Sequence, residues 1–139
     1  MVDEAITANL DLFKTFTFKG PGDYYSGRGG GIGQGLAGAI GVAVAETKRP
    51  ILCVSGDGSS MYSIQALWTA AHHELPIVFV ILANREYRVL KHNIDAYRAR
   101  FDVKSNKPYM HMDLTGPTMG FADLARGMGV AGTYVDKAD

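Results

Sequence analysis

The six residues Ile77-Val78-Phe79-Val80-Ile81-Leu82 contain no polar alternation, and they end on Ala83-Asn84. A strand with one wet face alternates polar and apolar residues. An unbroken apolar run of strand length therefore reads as a strand covered on both faces, the habit of parallel sheets. A second run, Ile51-Leu52-Cys53-Val54-Ser55, is entered by Pro50 and left by Gly56-Asp57-Gly58. Parallel strands need a crossover between them. Ser60 to about Glu74 supplies one, with Ile64, Leu67, Trp68 and Ala71 at the i, i+3, i+4, i+7 spacing of an amphipathic helix whose apolar stripe belongs in the core. Pro76 ends that helix.

The remaining segments extend the alternation. Gly33 to about Glu46 reads as a helix of small and apolar residues (Leu36, Ala37, Ile40, Ala43, Val44), closely packed on most sides. Residues 86–100 and 121–128 are further helix candidates, and Val130–Val135 is a further strand. Residues 101–118 carry Pro108 and Pro117 and read as loop. Gly20-Pro21-Gly22-Asp23 is a turn, 24–32 is a glycine-rich loop, and 1–19 mix helical and extended signals without a clear assignment. This pattern predicts an α/β fold, a doubly wound, mainly parallel sheet with helices on both faces. Its 139 residues fit one domain. In such sheets ligands bind outside the carboxyl ends of the strands, and Gly56-Asp57-Gly58 and Ala83-Asn84 both follow strands.

Composition excludes several function classes. Fourteen Lys+Arg balance fourteen Asp+Glu, so neither a strongly basic nucleic-acid binder nor an acidic tail protein is expected. No apolar run reaches the ~20 residues of a membrane span. Met1-Val2-Asp3-Glu4 bears acids where a signal peptide needs positive charge. The single cysteine, Cys53, lies within an apolar run, where a buried inert thiol is expected, and a reducing, cytoplasmic setting suits it. Ten of the 17 glycines fall between Gly20 and Gly41, which marks a local demand on the backbone.

The two strand-end loops offer specific chemistry. Asp57 brings a carboxylate and Asn84 an amide oxygen, hard donors suited to Mg2+ or Ca2+ rather than to zinc. Two protein oxygens do not complete an octahedron, and Mg2+ usually takes water and ligand phosphates for the rest. Gly58, Ser59 and Ser60 open the following helix, whose free N–H groups can receive an anion. Gly-Asp-Gly alone is also a common turn with Asp as helix cap. The added information is the spacing: 25 residues separate Gly58 from Asn84, which follows the second buried strand.

With that spacing the sequence resembles the thiamine diphosphate-dependent enzymes, whose signature is GDG, some 25 residues, and an asparagine. The likeness is strongest to the benzoylformate decarboxylase branch of the 2-oxo acid decarboxylases. Gly56 through Ala71 resembles that branch almost throughout, as do Tyr24-Tyr25, Gly30-Gly31-Ile32-Gly33 and Ala39-Ile40-Gly41-Val42. The similarity covers most of residues 20–90 and fades after about Leu90.

The resemblance implies a site. Asp57 and Asn84 would hold Mg2+ (or Ca2+) by side chains, and the main-chain oxygen of Glu86 would complete the protein ligands, with Tyr87 beside it in the cofactor site. Gly58 and Ser59 would bind the diphosphate. Ile32 would lie beneath the thiazolium and bend the cofactor, and the Gly30 carbonyl would accept from its 4′-amino group. The thiazolium ylid would then add to a 2-oxo acid and act as electron sink while CO2 leaves. Leu90 and Asn93 match substrate-pocket positions, and the polar Asn93 departs from an aryl-lined pocket. Arg85 stands where glycine is common, and Ala83 where asparagine is frequent.

The resemblance also implies what lies elsewhere. Catalytic glutamate and histidine residues belong to the pyrimidine-binding domain of a neighbouring subunit and to other missing regions, in a homodimer or homotetramer. Residues 1–139 would be one diphosphate-binding domain, truncated at both ends and inert alone. Acetolactate synthase-type carboligation is the alternative chemistry, and a non-catalytic dinucleotide-binding module the alternative class. Gly33-Gln34-Gly35-Leu36-Ala37-Gly38 does match G-x-G-x-x-G, but no strand precedes it. His72 and His73 are adjacent, about 100° apart on a helix, and cannot share a metal. Residues 85–107 hold seven Lys/Arg against three acids, which suits a solvated helix or subunit contact better than RNA.

Overall fold

The computed structural model describes residues 1–137. Its elements are β1 (Val2–Glu4), α1 (Asn9–Thr15), β2 (Tyr25–Ser26), α2 (Gln34–Ala45), β3 (Ile51–Gly56), α3 (Asp57–Ser60), α4 (Ala66–His72), β4 (Ile77–Leu82), α5 (Arg88–Arg100) and α6 (Phe121–Gly127). Four strands form one sheet in the order β2-β1-β3-β4, every pairing parallel. This is the parallel α/β architecture that the two apolar runs predict. Among the described residues no helix is long and apolar enough to cross a membrane.

Register explains where the core sits. Cys53 pairs with Val2 on one side and Phe79 on the other, and Ile51 pairs with Ile77, so these side chains stand on one face of the sheet. The face of α2 made by Leu36, Ala39 and Ala43, spaced by three and four, packs against them together with Ala66. Leu36 and Cys53 are fully enclosed. The start of α2 depends on β1. Gly33 precedes the helix with a φ of 90°, a conformation glycine tolerates best, and a Cβ there would sit 2.5 Å from that of Tyr62. The helix has no capping side chain of its own; instead the buried Glu4 accepts a hydrogen bond from the Gln34 N–H at 2.8 Å. A carboxylate placed at a helix N-terminus is electrostatically favoured.

Several sequence expectations need correction. The helix expected over 60–74 is α-helical only in α4 (Ala66–His72), because α3 already ends at Ser60. Between them the N–H groups of Tyr62, Ser63, Ala66 and Leu67 donate to carbonyls three residues back rather than four, so the chain turns too tightly for one α-helix. The break places Trp68 at the surface, 56% exposed and stacked on His72, while Leu67 is buried. In α2 only one face is covered, and Ala37, Gly41 and Val44 are exposed. In β4 the alternate residues Val78 and Val80 are exposed, so that strand is covered on one face among the described residues. No strand forms over 130–135. Val130 N–H bonds back to Ala125 and Arg126 donates to the Gly132 carbonyl at 2.6 Å, so this segment folds against α6 instead of joining the sheet. The unassigned stretch 1–19 contains β1 and α1, and β2 lies inside the glycine-rich loop.

Candidate functional site

The carboxyl end of β3 turns directly into α3, and the whole turn is buried: Asp57 is 4% exposed and Ser60 fully enclosed. Ser60 Oγ donates to the Asp57 carbonyl at 2.8 Å, which fixes the turn locally. The Asp57 carboxylate accepts from its neighbour Gly58 N–H through Oδ1 at 2.8 Å. Through Oδ2 it accepts from the Arg85 N–H at 2.6 Å. That second bond spans two adjacent strand tips, so one side chain ties the end of β3 to the loop after β4.

The loop after β4 is shaped to receive that bond. Asn84 Oδ1 accepts from the Glu86 N–H at 3.0 Å, an Asx-type turn. Arg85 has a φ of 62°, the left-handed region that glycine enters freely and a residue bearing a Cβ enters at a cost. This gives a physical reason why the resemblance leads one to expect glycine there. Residues 112–114 hold the loop from outside: Tyr87 N–H donates to the Met112 carbonyl at 2.7 Å and Leu114 N–H to the Arg85 carbonyl at 2.8 Å. Glu86 and Asp113 form the antiparallel bridge between the two segments.

Charge is concentrated beside this bridge. Lys91 Nζ contacts Glu86 Oε2 at 2.5 Å and Asp113 Oδ1 at 2.7 Å, and Arg88 Nε lies 3.1 Å from Glu86 Oε1. The Lys91 hydrogen bond holds the Glu86 carboxyl below the usual glutamate range, and Asp113 and then Glu86 push the Lys91 ammonium up. Gly58 faces the loop closely. A Cβ there would lie 2.6 Å from the Tyr87 ring and 3.5 Å from Leu114, so only glycine leaves the α3 backbone open at that point.

A cavity of about 450 Å³ opens at the carboxyl ends of β1, β3 and β4. Six of the residues singled out in the sequence line it together: Asp57, Gly58, Ser59, Asn84, Glu86 and Tyr87. Gly30, Ile32, Leu90 and Asn93 do not. Ile32 is 42% exposed in the glycine-rich loop and Leu90 is 44% exposed on α5. The α5 residues that reach the cavity are Arg88, Val89 and His92. Sequence reasoning also missed the wall formed by Ala5, Ile6 and Thr7, because a three-residue strand bearing two acids gives no readable pattern. Its one signal is local: Ile6 holds a φ of 46° right after the strand.

The donor set suits a hard cation. Among the described residues no three His, Cys, Asp or Glu side chains cluster as a metal site. Asp57 and Asn84 supply oxygen only, and an ion held there would need further oxygens from backbone and ligand phosphate, as Mg2+ commonly does. The exposed N–H groups of α3 and the open backbone at Gly58 suit the phosphate.

Comparison with known proteins identifies the family. Residues 7–139 match the family described as thiamine pyrophosphate enzyme, C-terminal TPP binding domain. The chain is 37% identical over all 139 residues to a Mycobacterium tuberculosis protein named as an acetolactate synthase large subunit, IlvX, of which it covers 27%. It is 33% identical over 129 residues to benzoylformate decarboxylase of Pseudomonas aeruginosa, covering 93% of this chain and 23% of that protein. Among solved structures it resembles a thiamine diphosphate-dependent 4-hydroxybenzoylformate decarboxylase of Rhodococcus jostii. That match has a TM-score of 0.78 and 33% identity, over 97% of this chain and 25% of the other. The chain thus spans about a quarter of the length of these two relatives. It belongs to the thiamine pyrophosphate enzymes and forms their C-terminal cofactor-binding domain.

Proposed function

We propose that this chain supplies the Mg2+–thiamine diphosphate half-site of a 2-oxo acid decarboxylase resembling benzoylformate decarboxylase. The observation that carries the reading is the convergence of Asp57 and Asn84, from neighbouring parallel strand tips, on one cavity that also exposes Gly58 and Ser59. In this reading Asp57, Asn84 and the main-chain oxygen of Glu86 hold the ion. Gly58 and Ser59 receive the diphosphate, with Tyr87 beside it. Gly30 and Ile32 serve the pyrimidine and thiazolium ends, and Leu90 and Asn93 border the substrate. Bound thiamine diphosphate supplies a carbon nucleophile and an electron sink for the carboxylate that leaves.

The residues of this chain bind and orient the cofactor. Asp57 both ligates the ion and, through the Arg85 N–H, sets the loop that presents Asn84. Proton transfer belongs to the pyrimidine-binding domain of a neighbouring subunit, in a homodimer or homotetramer, so the isolated domain is inert. The test is Asp57→Ala in the full protein. Cofactor should be lost on gel filtration, and decarboxylation of 2-oxo acids should fall to background. Normal turnover without added metal would refute the ligand assignment.

The 37% identity across the whole chain to an acetolactate synthase-type protein supports a second chemistry on the same half-site, carboligation. Product analysis separates the two: a decarboxylase releases an aldehyde, whereas a carboligase joins the acyl unit to a second 2-oxo acid.

A further inference from the structure

Residues 103–114 run back along α5 and touch a single stripe of it. Val103 N–H donates to the Arg98 carbonyl at 2.9 Å, and Arg98 donates to the Lys107 carbonyl at 3.0 Å. Tyr109 Oη donates to Asp95, and Asp113 accepts from Lys91 at 2.7 Å. The next contacts are the backbone bonds to Tyr87 and Arg85. Positions 98, 95, 91 and 87 are spaced by three and four, which places them on one helix face. The strap therefore closes on the loop that follows Asn84.

Lys91 stands where strap, helix and loop meet. Its side chain is 18% exposed, its ammonium lies 5.8 Å from the Tyr109 ring centroid, and it holds one acid from the loop and one from the strap. The loop it grips contains Arg85 in a left-handed conformation, which persists only where the surroundings over-determine it. We propose that Lys91 is a positioning residue for the metal loop: by joining Glu86 to Asp113 it pre-orders residues 84–87 before the ion binds. This rests on the metal reading above. Lys91 itself touches neither cofactor nor substrate in it.

The test uses the full protein with saturating thiamine diphosphate and Mg2+ titrated calorimetrically. Lys91→Met should raise the Mg2+ concentration for half-saturation about 10-fold, the low end of the scale for losing an outer-sphere partner, since Lys91 holds the Glu86 side chain and not a ligand atom. At saturating Mg2+ its kcat should return towards that of the unaltered protein. Lys91→Arg should recover most of the affinity, and amide exchange at residues 85–87 without metal should quicken in Lys91→Met. Asp113→Asn, an exposed change that leaves the Glu86 pair intact, should weaken Mg2+ binding by a smaller factor. Unchanged Mg2+ affinity in Lys91→Met, even with lowered thermal stability, would overturn the proposal. Should Lys91→Met not fold, unchanged affinity in Asp113→Asn would overturn it equally. An unaltered protein that binds thiamine diphosphate without any divalent ion would instead overturn the metal reading itself.

Discussion

Cys53 faces α2 from the middle of β3, and burial pushes its thiol up to about 12, with Glu4 and Asp3 adding to the effect. The folded thiol keeps its proton where the unfolded one, near 9, gives it up. The stabilisation is therefore complete below about pH 9 and is lost as pH rises from there towards 12. Urea unfolding should show stability declining between about pH 9 and 10, and Cys53→Ala should flatten that decline; an identical slope in both would refute it. Burial, and then its donation to Asp3 at 2.6 Å, also raise Tyr24 to about 12, but its ordinary value lies higher, so it enters later. The burial of Cys53 was legible because its neighbours Leu52 and Val54 are apolar. The buried acids were not, because each takes a partner from far along the chain: Glu4 Oε1 accepts from Gln34, and Asp3, beside its local bond from the Ala5 N–H, accepts from Tyr24. Asp57 and Asn84 were legible as a pair by spacing, but the Asp57–Arg85 bond between their strand tips was not.

At the scale of elements, α2 shows how much of a helix its sequence declares. Its small and apolar residues, Leu36, Ala37, Ile40, Ala43 and Val44, declare a helix but not its buried face, which the structure makes from Leu36, Ala39 and Ala43 against β3. Leu36→Ala should cost about 2–5 kcal/mol by removing a fully enclosed side chain. Val44→Ala, at a position 64% exposed, should stay within about 0.5 kcal/mol. Comparable losses from the two, measured by urea unfolding, would contradict the orientation of the helix. What could not be read was its cap, because the capping oxygen comes from β1. The helix expected over 60–74 failed for a related reason. Hydrophobic spacing carries the side-chain pattern, whereas Ser60, whose hydroxyl donates to the Asp57 carbonyl, favours a local turn that the pattern does not encode.

For the whole molecule, unbroken apolar runs identified a parallel sheet correctly but overstated its covering. Val54 and Val80 are register partners on one face, yet Val54 is 3% exposed and Val80 37%. Val54→Thr should cost about 1–3 kcal/mol through an enclosed hydroxyl. Val78→Thr, 57% exposed, should be nearly neutral, and equal costs would show that both edges of this face are covered. The cavity at the strand tips was foreseeable from topology; its third wall, beyond Glu4, was not, since β1 is too short to announce itself. That brief strand has a further consequence. Val2 has Tyr25 on one side and Cys53 on the other, so its two neighbours lie far downstream. Helices can form from local contacts, but this ladder must close long loops first, a slow step in folding. During synthesis, Val2–Glu4 cannot complete its pairing until the ribosome has released Ile51–Gly56.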